Sequence, residues 1–200
     1  MEPARFIHAE NTRRQGSALT SMAVIRPTSA DLAAARERTL EDVIAPDLRI
    51  LFVGINPGLW SGATGMHFAR PGNRFWRAIH DAGLTPRLLS PLDQSELLDY
   101  GIGIVNMVAR TTATAAELSN DEIRAGGRVL TDKVVRFRPR KVAFLGVSTY
   151  RTAFDRPKAS VGRLDERIGS SEVWVLPNPS GLNAHYRLPQ LAEAYRRLRD

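Results

Sequence analysis

Residues 50–65 read ILFVGINPGLWSGATG, and the division of this stretch between strand and loop decides the fold. Ile50, Leu51, Phe52, Val53 and Gly54 show no polar alternation, which predicts a strand covered on both faces. A loop follows, holding Asn56, Pro57, Gly58, Gly62 and Gly65, a composition that lets backbone approach a ligand closely. In an open α/β sheet, ligands sit beyond the carboxyl ends of the strands. The reading therefore puts Asn56 at such a mouth.

Working outward, residues 1–27 (MEPARFIHAENTRRQGSALTSMAVIRP) show no periodicity and read as a flexible N-terminal arm, whose Arg13 and Arg14 could touch phosphate. Residues 28–200 read as a single domain. Thr28 and Ser29 suit the cap of a short helix running from Asp31 to Leu40. After the opening loop, Phe75, Ile79 and Ala82 fall at helical spacing and Gly83 ends the helix, with Trp76 beside it as core packing. A second short helix fits Asp93 to Tyr100, where Asp93 and Glu96 have capping-box spacing. Residues 102–108 (IGIVNMV) read as a buried strand whose end carries Asn106.

Ser119 and Glu122 open the clearest helix, with Ile123, Leu130, Val134 and Phe137 on one face and Pro139 beyond its end. KVAFLG (141–146) and VWVL (173–176) are further buried strands, separated by a helix through Tyr150 to Phe154 and a polar loop with one exposed strand. Leu188, Leu191, Tyr195 and Leu198 mark a closing amphipathic helix. Strands alternating with helices predict an α/β fold with a largely parallel sheet of four or five strands. Two turn-rich loops, INPG and PNPSGLN, both follow apolar strands. A parallel sheet would bring them to one edge.

Two hundred residues at 43% hydrophobic content can bury a sizeable core. No apolar stretch approaches the ~18 residues that span a bilayer, and the start lacks the apolar core of a secretory signal. A cytoplasmic location is expected, at the nucleoid if the chain is bacterial. The chain has no cysteine, and its four histidines (His8, His67, His80, His185) show no ligand spacing, so no metal and no cofactor are expected. The net charge of +7 points to a polyanionic partner. Only Lys133, Lys141 and Lys158 are lysines, so a general preference for arginine explains part of that excess.

A Gly-rich loop after a strand raises the question of a phosphate cradle. No Gly-Lys-Ser/Thr follows Gly54 or Gly65, and no G-x-G-x-x-G is present, which disfavours an NTPase or a dinucleotide enzyme. No G-x-S-x-G elbow exists for a hydrolase triad. As turn chemistry alone, Asn56-Pro57-Gly58 and Asn178-Pro179-Ser180-Gly181 need no function. Their occurrence at matching strand ends of a basic protein favours one.

Three blocks, GINPGLWSGATGMHFARPGNRFW, NMVARTT and VLPNPSGLN, together resemble the mismatch-specific uracil/thymine-DNA glycosylases of the uracil-DNA glycosylase superfamily, over about Glu41 to Tyr195. The resemblance implies a three-layer α/β/α sandwich. It implies an enzyme that flips uracil opposite guanine, with thymine or damaged pyrimidines as further candidates, out of double-stranded DNA. Hydrolysis of the N-glycosidic bond would leave an abasic site. Asn56 would hold the attacking water, and the backbone around Ile55 would stabilise the departing base. Phe68 matches an aromatic that stacks on the flipped base, although a core role fits it equally. Ser61, with Trp60, would form the wall that sets the choice of base, and Asn178 would lie near the pocket. Leu182 would be a wedge filling the vacated stack, with backbone of Gly181 and Asn183 reading the orphaned guanine.

The chain departs from related enzymes in carrying Asn178 where a histidine can open the second motif, and Ala184 where a basic residue often follows the wedge. Arg187 could replace the latter, and His185 reads as a loop residue. Asn56 is a poor base, so Asp93 or Asp99 is a candidate carboxylate, Asp93 having the competing reading of a helix cap. The three lysines lie far from both motifs, which predicts a monofunctional enzyme; a monomer is expected. The alternatives are a non-catalytic mismatch or abasic-DNA binding module and a nucleotide-handling enzyme; a mere binder would not need a water-orienting amide.

Overall fold

The computed structural model describes residues 26–199, so most of the arm expected over residues 1–27 lies outside the described part. The apolar runs fill a five-stranded sheet: β1 (Ile50–Gly54), β2 (Ile102–Asn106), β3 (Lys141–Leu145), β4 (Gly162–Ile168) and β5 (Ser171–Leu176). Their order is β2-β1-β3-β5-β4; the first four in that order are parallel and β4 pairs antiparallel with β5.

Because side chains alternate along a strand, each strand feeds two cores. Ile50, Phe52, Ile104 and Leu145 face one core, shared with Phe75 and Ile79 of α3 (Phe75–Asp81) and Leu191 and Tyr195 of α6 (Leu188–Arg196). Leu51, Val53, Val105 and Phe144 face the other, shared with Leu130 and Val134 of α4 (Asn120–Phe137) and Tyr150 of α5 (Val147–Phe154). The result is the expected three-layer α/β/α sandwich. The chain leaves β1 for β2 on one side and returns to β3 on the other, so the carboxyl end of β1 is the topological switch point.

Local structure departs from the sequence reading in three places. The first helix, α1, spans only Ser29–Ala34, capped by Thr28, and stops short of Leu40. It stops because Glu37 N–H donates to Thr111 O and Thr111 N–H to Arg38 O, drawing the chain into pairing with the segment after β2. Leu59–Thr64, read as loop, form a short helix, α2, ending at Gly65 in the left-handed region. Pro91–Tyr100 are a 3₁₀ helix rather than an α-helix. No described helix is long and apolar enough to cross a membrane.

Candidate active site

The loops after β1 and β5 meet, as expected, at one end of the sheet around a cavity of about 240 Å³. Ile55, Asn56, Ser61, Phe68, Asn178 and Leu182 all line it. Asn56 sits two residues beyond β1. Its Nδ2 donates to Thr112 Oγ1 at 2.7 Å, to Arg110 O at 3.1 Å and to Pro57 O at 3.2 Å. The Thr112 hydroxyl in turn donates to Thr114 O at 2.7 Å, so it can only accept from Asn56. With its N–H groups spent on protein, Asn56 keeps Oδ1 for whatever enters the cavity. That oxygen is an acceptor, able to orient a water by taking one of its protons in a hydrogen bond.

Phe68 has its ring stacked on Phe75, with centroids 4.1 Å apart and planes at 23°, and its backbone lies in the left-handed region at φ 53°. One ring face rests on the core while the residue also lines the cavity, so its core role leaves it accessible from the cavity. A side chain with Cβ rarely adopts that backbone, and such strain collects at functional sites. Ser61 is buried, with Oγ 3.4 Å from the Ala69 amide. Trp60, expected in the same wall, is not among the lining residues.

Asn106, read from the sequence only as the end of a buried strand, is part of the wall. Its Nδ2 lies 3.5 Å from Nδ1 of buried His67, whose Nε2 meets Glu41 O at 2.9 Å. Burial pushes the His67 pKa down, so the ring is neutral, with its proton on Nε2 and an acceptor at Nδ1. Asn106 Oδ1 then faces β1, where Gly54 makes room: a Cβ there would stand 2.6 Å from that oxygen. The signal for Asn106 was its place at the end of a buried strand beside Asn56.

The loop after β5 is held from behind by Arg74. Its guanidinium donates to the carbonyls of Pro179 (3.3 Å), Asn183 (3.0 Å), Tyr186 (2.5 Å) and Ser180. Asn178 accepts the Ser180 N–H at 2.9 Å, an Asx turn that shapes the loop from within. Gly181 packs on the loop before α3, where a Cβ would fall 2.7 Å from Gly72 O. Leu182 at the tip is 77% exposed. At Asn183 the N–H donates to Ser180 O and the C=O accepts from Arg74, which leaves this backbone one carbonyl lone pair for a further partner.

Asp93 does not join the site. Its Oδ2 accepts from Ser90 N–H and Oγ–H at 2.8 and 2.7 Å, its Oδ1 faces Arg87, and it is absent from the cavity lining. The Ser90 hydrogen bonds, then Arg87, hold its carboxyl below the usual range. It is a helix cap. Asp99 is exposed on the same 3₁₀ helix. None of the lysines lines the cavity either: Lys133 pairs with Asp42, Lys141 donates to Leu198 O and Lys158 lies beside Arg156.

The small cavity thus lies at the switch point of a parallel sheet, with an aromatic ring in its lining and an exposed leucine at its edge. Residues 41–199 match the family model of the uracil DNA glycosylase superfamily, and the chain belongs to that family. Its fold is similar to the solution structure of a Methanosarcina acetivorans protein provisionally named a uracil DNA glycosylase. The TM-score is 0.55 at 20% identity, covering 82% of this chain and 99% of that one.

Proposed function

We propose that the chain is a monofunctional, mismatch-specific DNA glycosylase that removes uracil opposite guanine from double-stranded DNA and leaves an abasic site. The observation that carries this reading is the fixed amide of Asn56. Its donors are held by Thr112 and Arg110, so a water in the cavity meets an acceptor. An amide cannot take a proton outright. It suffices where the C1′–N1 bond breaks first, the electron pair leaving with the base, so that neutral water can add to a cation-like sugar and release its proton to solvent.

The remaining groups fit the same step. A flipped pyrimidine would stack on Phe68, present its edge to the Asn106 amide and receive hydrogen bonds on its developing charge from loop N–H groups near Ile55. Leu182, unsupported by core, is placed to fill the gap left in the duplex, offsetting part of an unstacking cost of a few kcal/mol. The absence of lysine from the cavity lining supports hydrolysis without strand scission. Choice of base is assigned to the wall around Ser61 and Asn106, where one methyl group is worth about 1–3 kcal/mol.

Single-turnover assays of wild type and Asn56→Ala on G:U, A:U, G:T and single-stranded uracil substrates, developed with alkali, test the proposal. Wild type should act most readily on G:U, and Asn56→Ala should lose about 10²-fold or more, the scale of a lost catalytic contact. No cleavage of any uracil substrate by wild type would leave a mismatch-binding module in its place.

A further inference from the structure

The charge of the molecule is not concentrated at the candidate site. At the opposite pole, where the parallel strands begin, a cavity of about 410 Å³ is lined by Arg49, Arg138, Arg140, Lys141, Arg167 and Arg199, against the single carboxylate of Glu172. These cations come from four separated parts of the chain. Arg49 precedes β1, Arg138 and Arg140 precede Lys141 at the start of β3, Arg167 is the penultimate residue of β4 and Arg199 follows α6. Neutral carbonyls position several of them without cancelling charge: Arg49 Nε donates to Tyr100 O at 3.0 Å, Lys141 Nζ to Leu198 O at 3.1 Å and Arg167 Nη1 to Ser170 O at 2.8 Å. Among the described residues, no carboxylate pairs with Arg49, Arg140, Lys141 or Arg199; Arg138 meets Asp47 at 3.4 Å and Arg167 meets Glu172 at 3.9 Å.

Helix polarity explains part of this. The carboxyl ends of α4 and α6 lie here, and their partial negative charge favours Arg138 and Arg199. Arg49 likewise meets Tyr100 O at the carboxyl end of the 3₁₀ helix, and Arg167 faces Glu172, but together these groups leave the cleft with six cations against one carboxylate in its lining. Like charges gathered at one cleft repel each other unless an anion is shared among them. The forked guanidinium is suited to phosphate oxygens, and none of the large exposed apolar residues lies in the lining, so nothing here would insert into a lipid surface.

We propose that this cleft is a second DNA-backbone site, which holds a duplex segment other than the one at the Asn56 cavity. Geometry requires the separate segment. The five residues of β1 alone hold the two poles roughly 17 Å apart, and duplex stiff over about 150 base pairs does not turn around so small a body. Two segments held at once would let the protein pass from one stretch of DNA to another without a free interval. The inference uses the DNA-directed reading only for the choice of partner.

The test is a low-salt titration with an undamaged duplex of about 12 base pairs, too stiff to bend around to both poles. The triple substitution Arg140→Ala, Arg167→Ala, Arg199→Ala should take up one duplex fewer per chain than wild type, and the single Arg140→Glu should do the same at moderate salt. Single-turnover excision from a G:U duplex of that length should match wild type in both variants, which also reports that they fold. Equal stoichiometry in wild type and the triple variant would overturn the proposal. So would anionic vesicles or inorganic polyphosphate binding the cleft when duplex does not. A wild type inactive on uracil but still one duplex above the triple variant would sink the glycosylase reading and leave this one standing.

Discussion

The side-chain amide of an asparagine presents a donor and an acceptor of nearly the same shape, so its chemistry depends on which way it is turned. Here that choice belongs to Thr112. Because the hydroxyl is committed to Thr114 O, it fixes Nδ2 of Asn56 toward itself and Oδ1 toward the cavity. Thr112→Val should leave the fold intact and lower the single-turnover rate roughly three- to tenfold, the worth of one net hydrogen bond of about 0.5–1.5 kcal/mol. Thr112→Ser should restore it. Equal rates in Val and Ser variants would free Asn56 from this dependence. The motif NMVARTT marked the segment, but the pairing of residues 56 apart in the chain was not legible. His67 was likewise hidden: as one of four scattered histidines it carried no signal, and only its burial and its bond to Glu41 O give it a place behind Asn106.

Elements were legible where a single periodicity governed them. β1, β2 and β3 are buried on both faces over nearly their whole length and, with the Val173–Leu176 part of β5, read as apolar runs, while α4 carried both its cap and its stripe. α2 was not legible, because Gly58 and Gly62 carry turn composition. Gly62 is there for a contact outside the helix, since a Cβ would lie 2.6 Å from Thr111 Oγ1. The loop after β5 was read as turn chemistry, and its true constraint comes from Arg74, more than a hundred residues earlier in the chain. Four carbonyls on one guanidinium preorganise the loop before DNA arrives, so ordering cost is not taken from binding. Arg74→Ala should cost about 1.5–3 kcal/mol of stability, as loss of charged hydrogen bonds does, and should speed amide exchange over residues 180–186 while exchange in β1 is unchanged. Uniform acceleration through the whole chain would mean that Arg74 serves the fold at large.

At the scale of the whole molecule, the shifted carboxylates work in one direction. Hydrogen bonds from Arg110 and Ser119 hold the Glu122 carboxyl down at about 2, and Asp31, Asp81, Asp93, Glu96 and Glu117 are also lowered by their partners. Each stabilises the fold above its unfolded pKa and loses that contribution as pH falls through the folded value. His67 adds an earlier step. Neutral in the fold and free to take a proton when unfolded, it begins to oppose folding below its ordinary value of 6.5. Urea midpoints should therefore be flat from pH 7 to about 9, dip slightly below 6.5 and fall steeply below about 4.5. Glu122→Gln should converge on wild type at the acid end, and a gap that persists there would assign its effect to packing.

The two margins of the sheet give the chain a property that matters for a protein gathered densely on one polymer. Beyond β2, Val43 bridges Ile104 and occupies the open hydrogen-bonding row on that side. On the far side β4 alternates Arg163, Asp165 and Arg167 outward with half-buried residues between them. An incoming strand would find one margin taken and the other fenced by charge. Copies crowded along DNA can touch without their sheets joining into a common ribbon.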